Sequence, residues 1–144
     1  MTRSTFTSEL LAALDAQDRG FLIAQMLHHM TTGVGGVHEG RRLREDGGYA
    51  SPMGLYIDAL SVYAAVTATF IKTPADNSCL LQLLALREHI NVGTLSVLCW
   101  CDTRDMIADG LTKGAVDRTA LDSVLNGVVE VSKPMKVFSV KFGR

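Results

Sequence analysis

Acidic residues at the ends of apolar runs carry the clearest chemical potential in this chain. Asp58 closes the short run Gly54-Leu55-Tyr56-Ile57, and Asp102, Asp105 and Asp109 follow a nearly continuous apolar run at 94–100. In open α/β sheets, ligand sites form at the carboxyl ends of the strands. Carboxylates delivered there from neighbouring strands can hold Mg²⁺, a hard ion that takes oxygen ligands and keeps several waters. Two such ions clamp the attacking and leaving oxygens of a phosphodiester. The same residue types have plainer uses, because an acid at a strand end or in a helix's first turn also serves as a cap or a solvated charge. Glu9, near the start of a helical pattern, is open to both readings.

Other reactive types point to structure. His28 and His29, with His38 and Glu39 across a glycine-rich stretch, do not form a good ligand set, since adjacent helical residues point about 100° apart. Cys99 and Cys101 fall on one side of an extended strand and have no Cys-x-x-Cys partner, which fits a buried thiol pair better than a metal site. Trp100 reads as core rather than as a base-stacking platform.

The elements that must position these residues follow from periodicity. Residues 5–30 are helical in pattern: Phe6, Leu10, Ala13 and Leu14 mark a buried stripe, and Ile23, Met26, Leu27 and Met30 continue one farther along. Gly20 interrupts the run, so a kink or two helices is expected. Between 31 and 53 the periodicity disappears among six glycines and the charged run 41–46, and a mobile loop is expected there. A strand at 54–58 passes into a helical stretch at 59–70, and Pro74 marks a break. Asp76 or Asn77 can cap the next helix, in which Cys79, Leu83, Leu86 and Ile90 form a strong apolar stripe ended by Gly93. The run at 94–100 is expected to be a strand buried on both faces. Short helices are expected at 106–111, capped by Asp102 or Thr103, and at 118–126, capped by Asp117 and ended by Gly127. Residues 128–131 and 137–142 can be short strands or extended tail. Strands separated by helical crossovers imply an α/β fold with a short parallel sheet flanked by helices. Two strands alone make a thin sheet, so flanking strands are expected to be missing.

Composition sets the bounds. The chain has 144 residues, 47% hydrophobic and 20% charged, enough for one globular domain with a real core. No stretch reaches the ~18 uninterrupted apolar residues of a membrane helix, and the N-terminus lacks the pattern of a signal peptide. An odd set of three cysteines on apolar segments fits reduced, buried thiols and an intracellular setting, cytoplasm or nucleus. A formal charge of −1 argues against a free-standing nucleic-acid binder. The end of the chain, from 128 on, forms a basic tail carrying Lys133, Lys136, Lys141 and Arg144, able to touch phosphates or simply be solvated.

Four segments, in order, resemble the ribonuclease H domain of copia-type retrotransposon polyproteins. Arg3-Ser4-Thr5-Phe6-Thr7-Ser8-Glu9-Leu10-Leu11-Ala12 resembles the helix start that presents the family's second catalytic acid, matched here by Glu9. Tyr56-Ile57-Asp58-Ala59-Leu60-Ser61-Val62 is similar to the strand-to-helix junction bearing the third acid, matched by Asp58. Leu86-Arg87-Glu88-His89-Ile90 resembles the family's "R-E" helix, with Gly93 and a buried strand after it. The segment from Asp102 through Asp109-Gly110-Leu111-Thr112-Lys113 looks like the terminal "A-D-x-L-T-K" signature, with Asp109 as the fourth acid. The wording around Trp100-Cys101-Asp102-Thr103-Arg104 and Gly114-Ala115-Val116-Asp117-Arg118 is similar to elements abundant in alveolate protists. The resemblance spans residues 3–127.

That resemblance implies a partial ribonuclease H-like domain over 1–127. Glu9, Asp58 and Asp109 would be catalytic and metal-binding residues for Mg²⁺ or Mn²⁺, and Lys113 would contact substrate phosphate or cap a helix. The implied substrate is RNA in an RNA–DNA hybrid, and the implied partner is the upstream reverse transcriptase part of the polyprotein. The family's first acid lies on a strand ahead of Glu9, with two further strands between them. The eight residues before Glu9 contain no acid. The expectation is therefore a fragment with three of four ligands, inactive alone, whose strand ending at Asp58 has lost a neighbour and presents an unpaired edge. The competing expectation is a non-catalytic remnant that serves as an α/β interaction module.

Overall fold

The computed structural model describes residues 5–74, 77–112, 114 and 118–140. A single helix, α1, runs Thr5–Thr32 without a break. Its buried residues are Thr7, Leu10, Ala13, Gln17, Phe21, Ala24 and His28, a spacing of three and four that keeps one face inward along the whole length. Gly20 does not divide α1 into two helices. A Cβ there would meet Met53 Sδ at 2.7 Å, so glycine lets the segment before the first strand pack against the helix. The expected inward continuation through Ile23, Met26, Leu27 and Met30 is wrong, because those side chains are exposed. The core takes Phe21, Ala24 and His28 from the opposite side, where Phe21 meets the edge of the His89 ring at 5.0 Å.

The expected loop also gives way to structure. Helix α2 occupies Val37–Asp46. Its charged run is a solvated helical face, with Arg41 paired to Glu45 one turn on (2.7 Å), while Leu43 is buried. The glycines that looked like loop punctuation bound this helix: Gly36 is its N-cap and Gly47 its C-cap. Gly47 has φ 77°, and a Cβ on it would lie 3.0 Å from the Gly93 carbonyl oxygen, so the ends of two helices meet backbone to backbone.

Strand β1 (Gly54–Ile57) leads into α3 (Leu60–Thr67), then α4 (Ser78–Val92), then β2 (Val97–Trp100). The α4 stripe is as expected: Cys79, Leu83, Leu86 and Ile90 are all buried, and Gly93 ends the helix with φ 87°. Asn77 stands at its N-cap but makes no side-chain capping bond; Asp76 lies outside the described residues. A 3₁₀ turn (Thr103–Asp105), the short α5 (Asp109–Thr112), α6 (Thr119–Leu125) and β3 (Lys136–Phe138) complete the order. The expected cap Asp117 lies outside the described residues, and Gly127 follows α6 with φ 79°.

The class is α/β, and the sheet is mixed rather than purely parallel. β1 and β2 run parallel, with Leu55 opposite Leu98 and Ile57 opposite Trp100. β3, from the basic tail, pairs antiparallel on the far side of β2, giving the order β1-β2-β3. Among the described residues β1 is thus an edge strand with one neighbour. Leu55, Ile57 and Leu98 meet Leu10 and Ala13 of α1, Val62 and Val66 of α3, and the α4 stripe in one core. Arg87 of α4 ties the pieces together. It donates to the carbonyls of Val66 and Ala68 at the end of α3, and its guanidinium lies 4.7 Å from the centre of the Phe138 ring on β3. No helix among the described residues is long and apolar enough to cross a membrane.

Leu98 is fully buried where sheet and helices meet, so Leu98→Ala should cost about 2–5 kcal/mol in urea unfolding through lost transfer energy and a cavity. Gly47→Ala should cost about 1–3 kcal/mol through backbone strain. A loss below 0.5 kcal/mol for either, a bound set by ordinary surface changes, would contradict this packing.

Candidate active-site cleft

The local chemistry at the end of the parallel pair starts with its backbone. The Cys101 amide donates to the Ile57 carbonyl at 2.9 Å, extending the ladder one step beyond β2. The Trp100 indole N–H donates to the Asp58 carbonyl at 2.9 Å. Asp58 is thereby held at the mouth of the sheet with a half-buried side chain. The Cys101 thiol lies beneath it, and burial, then the nearby Asp58 and Asp105 carboxylates, push its pKa up, so the thiol stays protonated. All three cysteines are free and buried, as their apolar settings imply.

The three acids after β2 take different roles. Asp102 caps the 3₁₀ turn by accepting from the Arg104 amide (3.0 Å) and takes both Nε (2.7 Å) and Nη2 (2.8 Å) of the Arg104 guanidinium. That fork holds its carboxyl far below the usual range. Asp105 turns the other way, accepting from the Ser132 hydroxyl (2.7 Å) and the Lys133 amide (2.8 Å), and so fastens the tail that carries β3. The Ser132 bond is the main cause of its lowered pKa. Asp109, half-buried, opens α5, its amide bonded to the Met106 carbonyl at 3.1 Å.

Glu9 sits on α1 beyond the first turn, which removes the helix-dipole explanation for it. Its neighbour Leu10 is fully buried, so the seating of the helix fixes where Glu9 emerges. Glu9, Asp58 and Asp109 line one cleft of about 270 Å³. Its floor is built from Leu55 and Ile57 of β1, and its α1 wall from Ala12, Ala13 and Ala16. Three alanines on one wall leave the space open; longer side chains would fill it. The Ala-Ala-x-x-Ala spacing at 12–16 was a readable signal for this wall. Sequence reasoning passed over it, as it did the anchoring role of Asp105 and the stapling role of Arg87.

The donors in the cleft are carboxylates, with neither histidine nor cysteine among the described residues that line it. Their chemistry suits a hard divalent cation. Their spacing does not complete a site: among the described residues no group of three His, Cys, Asp or Glu stands close enough to hold a metal ion. The arrangement concentrates negative charge in a groove that can draw a cation without enclosing it. Lys113 lies outside the described residues. His28 is structural. His28 Nδ1 accepts from the Ala50 amide (3.1 Å), which leaves the proton on Nε2, 3.8 Å from Glu39 Oε1.

The lowered pKa of Asp105 has a pH consequence. Its hold on the tail is complete above the ordinary carboxylate value of 3.8 and is lost as pH falls below it through the depressed folded-state value. Lys136 of β3 lies 5.6 Å from the centre of the Trp100 ring, so the single tryptophan reports on tail docking. Trp100 fluorescence should stay level from neutral pH to 3.8 and change below it, and Asp105→Ala should show the acid-state signal already at neutral pH; an unchanged variant spectrum would disprove the anchoring role. Comparison of the chain with protein-family models, with curated proteins and with solved structures gives no match.

Proposed function

We propose that this chain is the acid-bearing part of a ribonuclease H-like phosphodiester hydrolase of the copia retrotransposon class, acting on RNA in RNA–DNA hybrids and incomplete as a catalyst by itself. One observation carries the reading. Glu9, Asp58 and Asp109, distant in sequence and singled out by resemblance to one family, line a single cleft at the carboxyl end of a parallel strand pair.

Three carboxylates do not amount to a two-ion site, and their present spacing closes none. Mg²⁺ or Mn²⁺ would supply the Lewis acidity of such a hydrolase. In this chain the part of the protein is to set three oxygen donors around an open groove. The resemblance calls for a fourth acid on a strand beside Asp58, and among the described residues β1 is an edge strand, which is compatible with that reading. The reverse transcriptase portion that precedes such domains is the partner this reading implies.

The second reading, a non-catalytic interaction module, draws on the unclosed acid set and on the formal charge of −1, which is weak attraction for a polyanion.

The experiment is cleavage of a labelled RNA–DNA hybrid with Mg²⁺ or Mn²⁺, using the chain alone and the chain joined to a reverse transcriptase portion of a copia-type polyprotein. The expected result is no cleavage by the folded chain alone and cleavage by the joined protein. Asp58→Asn or Asp109→Asn should lower the joined protein's rate by at least about 100-fold. No cleavage in either form, with folding verified by circular dichroism, would overturn the hydrolase reading in favour of the interaction module.

A further inference from the structure

The outer face of α1 carries an apolar stripe that the fold leaves bare. Leu22, Ile23, Met26, Leu27 and Met30 are 60%, 58%, 65%, 41% and 79% exposed. They recur at helical spacing over the last turns of the helix, opposite the face that buries Phe21, Ala24 and His28. Single exposed apolar residues need no explanation; a continuous stripe of five does. Sequence periodicity marks these positions as buried, and among the described residues nothing buries them.

We propose that this stripe is the contact surface of a homodimer, in which α1 of one chain lies antiparallel against α1 of a second copy, with Met26 near the two-fold axis. Three observations favour a second copy over another occupant. The first is size: the stripe presents on the order of 600 Å² of apolar surface, the upper end of what a monomer exposes and near the ~800 Å² per partner of a standard interface. The second is charge. From Gly20 to Val37 the chain contains no Asp, Glu, Lys or Arg, so a symmetric pairing buries no unpaired charge. The charges that flank the stripe are held by partners or stand to one side: Arg19 is paired to Asp15 on α1, and Arg41 and Arg44 of α2 line a groove beside Gln25 and His29. The third is shape. A straight stripe on a 28-residue helix is self-complementary under a two-fold rotation, which opposes the two helix dipoles and requires no other part of the fold to move. A net charge of −1 sets little repulsion between copies.

The stripe lies away from the acid cleft, whose α1 wall is Glu9 and the alanines at 12, 13 and 16. Dimerisation and cleft chemistry are therefore separable, and this inference stands whether or not the chain is a hydrolase.

The test is sedimentation velocity on the whole chain from about 1 to about 100 μM, the range of small transient interfaces. The mass should rise from monomer toward dimer with concentration. Met26→Lys, at a position already exposed in the single chain, should keep the native circular dichroism spectrum and weaken association at least about 100-fold by placing like charges at the axis. Met26→Glu should do the same, and an equimolar mixture of the two variants should recover dimer, because a two-fold axis at Met26 sets lysine against glutamate. A monomer throughout the range overturns the proposal. So does a dimer indifferent to Met26→Lys, or a chain that stays monomeric and binds vesicles through the stripe instead.

Discussion

The seating of α1 on the sheet is the constraint from which the rest of this structure follows. Leu10 and Ala13 enter the core that also holds Leu55, Ile57 and the buried side of α4, and the Cys79 thiol donates to Thr7 Oγ1 (3.3 Å) to join the two helices at their starts. Burial of an apolar side chain contributes roughly 1.5–3 kcal/mol, and Leu10 is one residue from Glu9. The rotation and height of the helix are thus set by its core face, and the position of the acid is a by-product of that packing. Gly20 and Gly40 serve the same seating. A Cβ at Gly20 would strike Met53, and one at Gly40 would strike Gln25, so both glycines permit chain to lie close against α1.

Division of labour among the acids follows from how each backbone is held. Asp102 is neutralised by Arg104, two residues along the chain, and Asp105 is committed to Ser132 and Lys133. Asp105 thereby pins the tail, and through it β3, onto β2. Glu9, Asp58 and Asp109 are the acids that line the cleft, each from a different element. A parallel strand pair places the ends of β1 and β2 side by side. The turn after β2 then brings Asp109 round to the same end as Asp58. This is geometry that spacing in the chain does not express.

What could be read in advance was what local periodicity determines. The α4 stripe, the Gly93 terminus, the strand ending before Asp58 and the buried run ahead of Asp102 are all local patterns, and the structure has each of them. The errors were non-local. Two apolar stripes on α1 look equally suited to burial, and contacts distant in sequence, such as those of Phe21 with Tyr49 and with His89 of α4, set Phe21 and Ala24 inward while Met26 and Met30 stay out. In α2 the single buried leucine gives periodicity nothing to register, so ten residues of helix read as a charged loop. The antiparallel return of β3 depends on Asp105 capturing Ser132, a contact across 27 residues. The acids were found through their likeness to one family's motifs; spacing alone left them indistinguishable from caps.

The central claim is that three acids from separate parts of the chain share one cleft, and paramagnetic broadening tests it directly. Mn²⁺ titrated into ¹⁵N-labelled protein should broaden amide signals of residues near Glu9, Asp58 and Asp109 together, at the same low ion concentration. Asp58→Asn should weaken the broadening at all three places at once. Broadening at only one of the three, or spread evenly over surface acids such as Glu45 and Asp122, would contradict the account.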